Sequence, residues 1–106
     1  MKFIPKKIHN SFIVEIEKNE DERGFFARTY DVNEFKKYGL NSKIVQCNIN
    51  YTKKKGTVKG LHYQKTPFEE AKLIRCIRGS VYSVLVDLRP DSPTYKQSES
   101  VILSEN

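Results

Sequence analysis

Two-residue alternation, broken at short intervals by turn residues, runs through most of this sequence and leaves room for little helix. In Lys43–Thr52 it sets Val45, Cys47, Ile49 and Tyr51 on one face and Ile44, Gln46, Asn48 and Asn50 on the other. Ser11–Lys18 puts Phe12, Val14 and Ile16 opposite Glu15 and Glu17. Phe25–Tyr30, Thr57–Gln64, Ala71–Ile77, Ser80–Leu88 and Glu99–Ser104 are further strand candidates, rich in β-branched and aromatic residues. Turns are expected at Asp21-Glu22-Arg23-Gly24, in the basic stretch Lys53–Lys59, at Pro90–Pro93, and at Arg78-Gly79, which would join its two neighbouring strands as a hairpin. Short strands at even spacing predict an all-β sandwich or barrel. The last strand ends just before Glu105-Asn106 and leaves an uncovered edge, so either another chain covers it or the sequence is part of a longer one.

One segment reads differently. Asp31 can accept from the free N–H groups of a first helical turn, Glu34 stands three residues on as a capping-box partner, and Gly39 can take a left-handed stop. A short surface helix over residues 31–38 follows.

At 106 residues a single domain is the default. Hydrophobic residues at 38% and charged residues at 30% fit a globular chain, with no repeat, linker or low-complexity stretch. No apolar run is long enough to cross a bilayer, and no apolar core follows the early lysines as in a signal peptide. Cys47 and Cys76 are too few for a disulfide framework, so reduced thiols and a cytoplasmic setting are expected. The net charge of +6 suits a phosphorylated small molecule, a nucleic acid, an anionic membrane or plain solubility. Nucleic acid is disfavoured, because the aromatics are not interleaved with lysines along one face.

Few residues can do chemistry. Gln46, Asn48 and Asn50 on one strand face are either solvated or the lining of a polar pocket. His62 shares a face with Val58, Gly60 and Gln64 and is either structural or a general base with room for a ligand beside the glycine. Lys72 shares a face with Ile74 and Cys76; it either reaches solvent or holds negative charge developing on a substrate oxygen. His9 has no polar constellation around it and reads as structural. A metal is not expected: Gly56, His62, Glu70 and Gly79 loosely follow a metal-binding β-barrel pattern, but Gln64 stands where a second histidine belongs.

Taken in order, Asp21-Glu22-Arg23-Gly24-Phe25-Phe26, Gln46-x-Asn48, Lys55-Gly56-Thr57-Val58-Lys59-Gly60-Leu61-His62-Tyr63-Gln64, Lys72-Leu73-Ile74-Arg75-Cys76, Gly79, Val86-Asp87-Leu88-Arg89, Ser92-Pro93-Thr94 and Leu103-Ser104-Glu105-Asn106 resemble successive blocks of the dTDP-4-dehydrorhamnose 3,5-epimerase family, in register across nearly the whole chain. The resemblance implies a cupin double-stranded β-helix, or jelly roll, free of metal and cofactor, acting as a homodimer in dTDP-rhamnose biosynthesis. It implies residues 1–106 as a single cupin-like domain, the N-terminal part of a longer family domain. The implied reaction removes and returns protons at carbons 3 and 5 of dTDP-4-dehydro-6-deoxyglucose, next to a 4-keto group that makes them acidic.

Carried over position by position, His62 matches the base and Lys72 the lysine that stabilises the enolate oxygen. Arg23, Gln46, Asn48 and Lys59 match substrate-binding positions; Phe26 lies beside them, and Arg28 is expected among the substrate-binding residues as well. Arg23 is expected at the nucleotide, and its segment serves the partner subunit's pocket. Lys59 stands where the family usually has arginine, Arg28 where many members have glutamate, and Cys47 where an acid is common. If Lys59 and His62 line one pocket, the strand must bulge near Gly60. The family's tyrosine proton donor, the carboxylate that orients the histidine and a further histidine lie in its second half and have no counterpart here. The alternative reading is an inactive or split nucleotide-sugar-binding fragment, with a second polypeptide completing the barrel.

Overall fold

Phe3 is the residue on which the N-terminal part of the structure closes. In the computed structural model, which describes residues 1–105, β1 (Lys2–Pro5) pairs antiparallel with β2 (Phe12–Glu15), matching Phe3 to Val14 and Ile4 to Ile13. Phe3 turns its ring onto Phe35 at 5.3 Å, Tyr38 at 4.3 Å and Phe12 at 6.4 Å between centroids. Tyr30 extends the cluster to Phe35 at 4.9 Å. Aromatic pairs of this geometry contribute about 1 kcal/mol each beyond their buried area. They fasten α1 (Val32–Lys37) to the first hairpin.

The helix follows the sequence closely. Asp31 accepts from the backbone N–H of Asn33 at 2.9 Å and of Glu34 at 3.1 Å. Gly39, at φ +67°, donates to Lys36, and Leu40 donates back to Phe35, the double closure of a Schellman stop. The reciprocal half of the expected capping box does not form. Glu34 pairs instead with Lys37 at 3.2 Å, one turn on, where an opposite charge offers a stronger partner than a solvated amide.

Between these elements, β3 (Lys18–Asp21) and β4 (Gly24–Ala27) form a second hairpin around Glu22-Arg23. Asp21 closes it by accepting from the Arg23 backbone at 2.8 Å and from the guanidinium at 2.6 Å. The third sheet pairs β5 (Ser80–Val86) with β6 (Ser98–Ser104) along their full lengths. The loop between them is gathered on Asp87, whose buried carboxylate accepts from Arg89, Ser92 and Thr94. Arg89 above all holds that carboxyl far below the usual carboxylate range.

The same loop grips the N-terminal segment. The Arg89 guanidinium donates to the His9 carbonyl at 2.7 Å, and the His9 N–H donates to Thr94 at 3.0 Å. Glu99 takes Lys6 at 3.0 Å and the Ile8 N–H at 3.2 Å. His9 is thus structural, as expected, through its backbone.

Four sequence expectations fail. Lys43–Thr52, Thr57–Gln64 and Ala71–Ile77 form no strands, and Arg78-Gly79 does not turn the chain back into a hairpin; β5 pairs with β6 instead. A strand exists only where a neighbour completes its ladder, and none of these three segments is hydrogen-bonded into a sheet among the described residues. Their alternating apolar residues stand in solvent, Ile49 at 85% and Val58 at 89% exposure. The radius of gyration, 15.3 Å against about 13 Å for a compact chain of this length, reflects the open middle. Both cysteines are free thiols: Cys76 is buried, with its thiol donating to the Arg78 carbonyl, and Cys47 is exposed. No helix among the described residues is long and apolar enough to cross a membrane.

Candidate active site

Gly60 shapes the surroundings of His62. Its φ of +88° lies in the left-handed region, and a Cβ there would stand 3.1 Å from His62 Nδ1 and 3.3 Å from its backbone nitrogen. Only glycine meets both demands. The positive φ breaks the two-residue alternation at the point where a bulge is needed for Lys59 and His62 to serve one pocket. On the other side of Gly60, Lys59 donates to Asn50 Oδ1 at 2.6 Å, across a turn closed by Thr57 on the Lys54 carbonyl.

Lys72 lies next to a carboxylate. Its Nζ is 2.7 Å from Glu70, and both side chains are 41% exposed, so water screens the pair. Among the described residues no hydrogen bond or ion pair joins His62 to Lys72 or to any other side chain. Gln46 and Asn48 are exposed on the Lys43–Thr52 arm, with no side-chain hydrogen bond among the described residues.

The remaining predicted residues gather on the second hairpin. Arg23 and Phe26 border a cavity of about 310 Å³ with Asn19, Asp21, Gly24 and Phe25. Phe26 and Arg28 border another, about 570 Å³, with Met1, Glu17, Asn19 and Glu34. Phe26 is 73% exposed and offers a bare ring face between the two. Arg23 lowers the pKa of Asp21 through its hydrogen bonds, and its own is raised in return. Arg28 is turned toward the helix cap, 3.2 Å from Asp31. The structure therefore places Phe26 beside Arg23 in one cavity and beside Arg28 in the other, and pairs Lys59 and Lys72 with Asn50 and Glu70. From sequence, Asn50 is part of an amide face that is either solvated or lines a polar pocket, and Glu70 belongs only to a loose metal-binding pattern that Gln64 breaks; neither reading anticipates their pairing with the two lysines.

The scaffold is β-rich and carries a glycine-backed histidine, a lysine ten residues on and an arginine–phenylalanine hairpin. Residues 5–106 match the dTDP-4-dehydrorhamnose 3,5-epimerase family, and the chain belongs to it. The dTDP-4-dehydrorhamnose 3,5-epimerase of Methanothermobacter thermautotrophicus is 38% identical over 98% of this chain and 55% of its own. The crystal structure of the enzyme from Elizabethkingia anophelis superposes with a TM-score of 0.94 at 38% identity, covering 99% of this chain and 57% of that one. The one from Bacillus anthracis, with TDP and PPi bound, superposes at 0.92 and 39% identity over 98% and 59%. The chain spans about half the length of the curated relatives it matches. Its fold is all-β and of the cupin type shared by these structures, with one short helix.

Proposed function

We propose that this chain carries part of the active site of a sugar-nucleotide epimerase, within a single cupin-like unit over residues 1–106. The substrate is dTDP-4-dehydro-6-deoxyglucose and the product dTDP-4-dehydro-L-rhamnose. The observation that carries this reading is the family match along residues 5–106. The motif resemblance then gives His62 the role of the family's base and Lys72 that of its enolate-binding lysine. The setting of His62 supports it, because the residue is exposed and so accessible to a ligand, with Gly60 packed close beside its ring.

In this reading His62 removes the proton from the carbon next to the 4-keto group. The electron pair moves onto the keto oxygen as an enolate, and the Lys72 ammonium stabilises that charge. A proton returned from the opposite face, by a donor that these 106 residues do not supply, inverts the centre. Arg23 and Phe26 take the nucleotide, Arg28 lies beside them, and Lys59 with Gln46 and Asn48 takes the diphosphate and sugar. In the homodimer that the resemblance implies, the Arg23 hairpin serves the partner's pocket. A cytoplasmic setting follows from the substrate class.

Solvent deuterium exchange tests the proposal. Incubation with the keto-sugar in deuterated water should introduce deuterium at carbons 3 and 5, and H62A should stop it. Binding of dTDP without exchange at either carbon would favour the alternative, a nucleotide-sugar-binding fragment without turnover.

A further inference from the structure

Asn50 and Lys59 face one another across the Lys54–Thr57 turn, and their 2.6 Å hydrogen bond joins two exposed side chains. Water would satisfy both groups as well, so the contact adds little to folding. Its effect is to locate a charge. A lysine ammonium is a compact point charge on a flexible stem and has no direction of its own. With Oδ1 engaged by Lys59, the amide leaves its two Nδ2 hydrogens without an acceptor among the described residues. The ammonium keeps further hydrogens, and no carboxylate lies within ion-pair distance of it among the described residues. The result is a row of adjacent donors, some charged and some neutral. Lys53, Lys54 and Lys55 in the intervening turn add positive potential. Such a row is complementary to an anion with several oxygens, such as a diphosphate.

We propose that Asn50 is a further substrate-binding residue, forming with Lys59 a composite clasp for the diphosphate: Asn50 fixes the ammonium and adds its own N–H donors beside it. The inference rests on the nucleotide-sugar reading above and assigns one more residue to it. Together the two side chains supply what one arginine fork supplies alone.

A double-mutant cycle on the whole chain tests this, with dTDP and inorganic pyrophosphate as probes in calorimetric titrations at fixed salt. N50A should weaken both ligands about fivefold to tenfold. In a K59R background the same substitution should cost less than about twofold, because the guanidinium brings its own fork. N50D, which keeps the acceptor for Lys59 but replaces the donors with a carboxylate, should weaken both ligands more than N50A does. Unchanged binding by N50A, equal losses in the two backgrounds, or near-normal binding by N50D would overturn the assignment. If the parent chain bound neither dTDP nor pyrophosphate, the nucleotide-sugar reading itself would fall, an outcome distinct from those three. Thermal melts of each variant separate lost binding from lost folding.

Discussion

His62 rests against Gly60 so closely that a methyl group on the glycine would stand 3.1 Å from its Nδ1. G60A should therefore displace the imidazole and strain the backbone, since alanine disfavours a φ of +88°. The expected result is loss of deuterium exchange by at least about tenfold, with a destabilisation of roughly 1–2 kcal/mol. Exchange followed by NMR and urea unfolding read the two effects separately. Full exchange by G60A would show that the tight approach has no part in placing the base.

Lys72 and Glu70 form a close ion pair in open water, and such pairs contribute little to stability. Their roles should separate cleanly. K72M should lower the exchange rate about 100- to 1000-fold, the usual cost of removing one group that stabilises an oxyanion, while leaving dTDP affinity within about twofold. E70Q should change the rate less than about threefold. A large loss in E70Q would mean that the carboxylate itself takes part in the reaction.

The Asp87 cluster sets a pH dependence. Arg89, Ser92 and Thr94 hold its carboxyl well below the ordinary value. A group whose folded pKa is depressed contributes stability above its unfolded pKa, near 4 for aspartate, and loses that contribution as pH falls below it. The melting temperature should fall between about pH 5 and pH 2. D87N should be less stable at pH 7 by about 2 kcal/mol, since it removes charged hydrogen bonds, and should show a shallower acid slope. Thermal melts by circular dichroism across this range provide the check, and parallel acid slopes would count against it.

Arg23 and Phe26 border one cavity and are assigned to the nucleotide, so truncating them should discriminate between ligands. R23A and F26A should weaken dTDP about tenfold, with little change toward inorganic pyrophosphate. Equal losses for the two ligands would move both residues to the diphosphate end.

The helix was legible because its signals are local. Asp31, Gly39 and the spacing between them act within one short segment, and the structure reproduces both ends. The turn at Asp21–Gly24 and the β6 strand were readable for the same reason. β1 and β3 were not anticipated: β1 is only four residues long, and β3 reads Lys-Asn-Glu-Asp, with no apolar alternation to reveal it. The reverse error arose at Lys43–Thr52 and Thr57–Gln64. Alternation states which faces a segment would present once paired, and it carries no information about whether a neighbour is there. At the site, Gly60 beside His62 was visible as a motif, whereas the partners of Lys59 and Lys72 depend on side-chain directions that spacing does not encode.

The contrast between the two cysteines gives the molecule a built-in chemical reporter. Cys47 lies open on the irregular arm and Cys76 is enclosed next to the Arg78 carbonyl. A maleimide should therefore modify the first at the rate of a small-molecule thiol and leave the second untouched until the chain unfolds. The order of labelling marks how the arm is packed: any ligand or companion subunit that orders residues 43–52 would slow the fast thiol and leave the slow one unchanged.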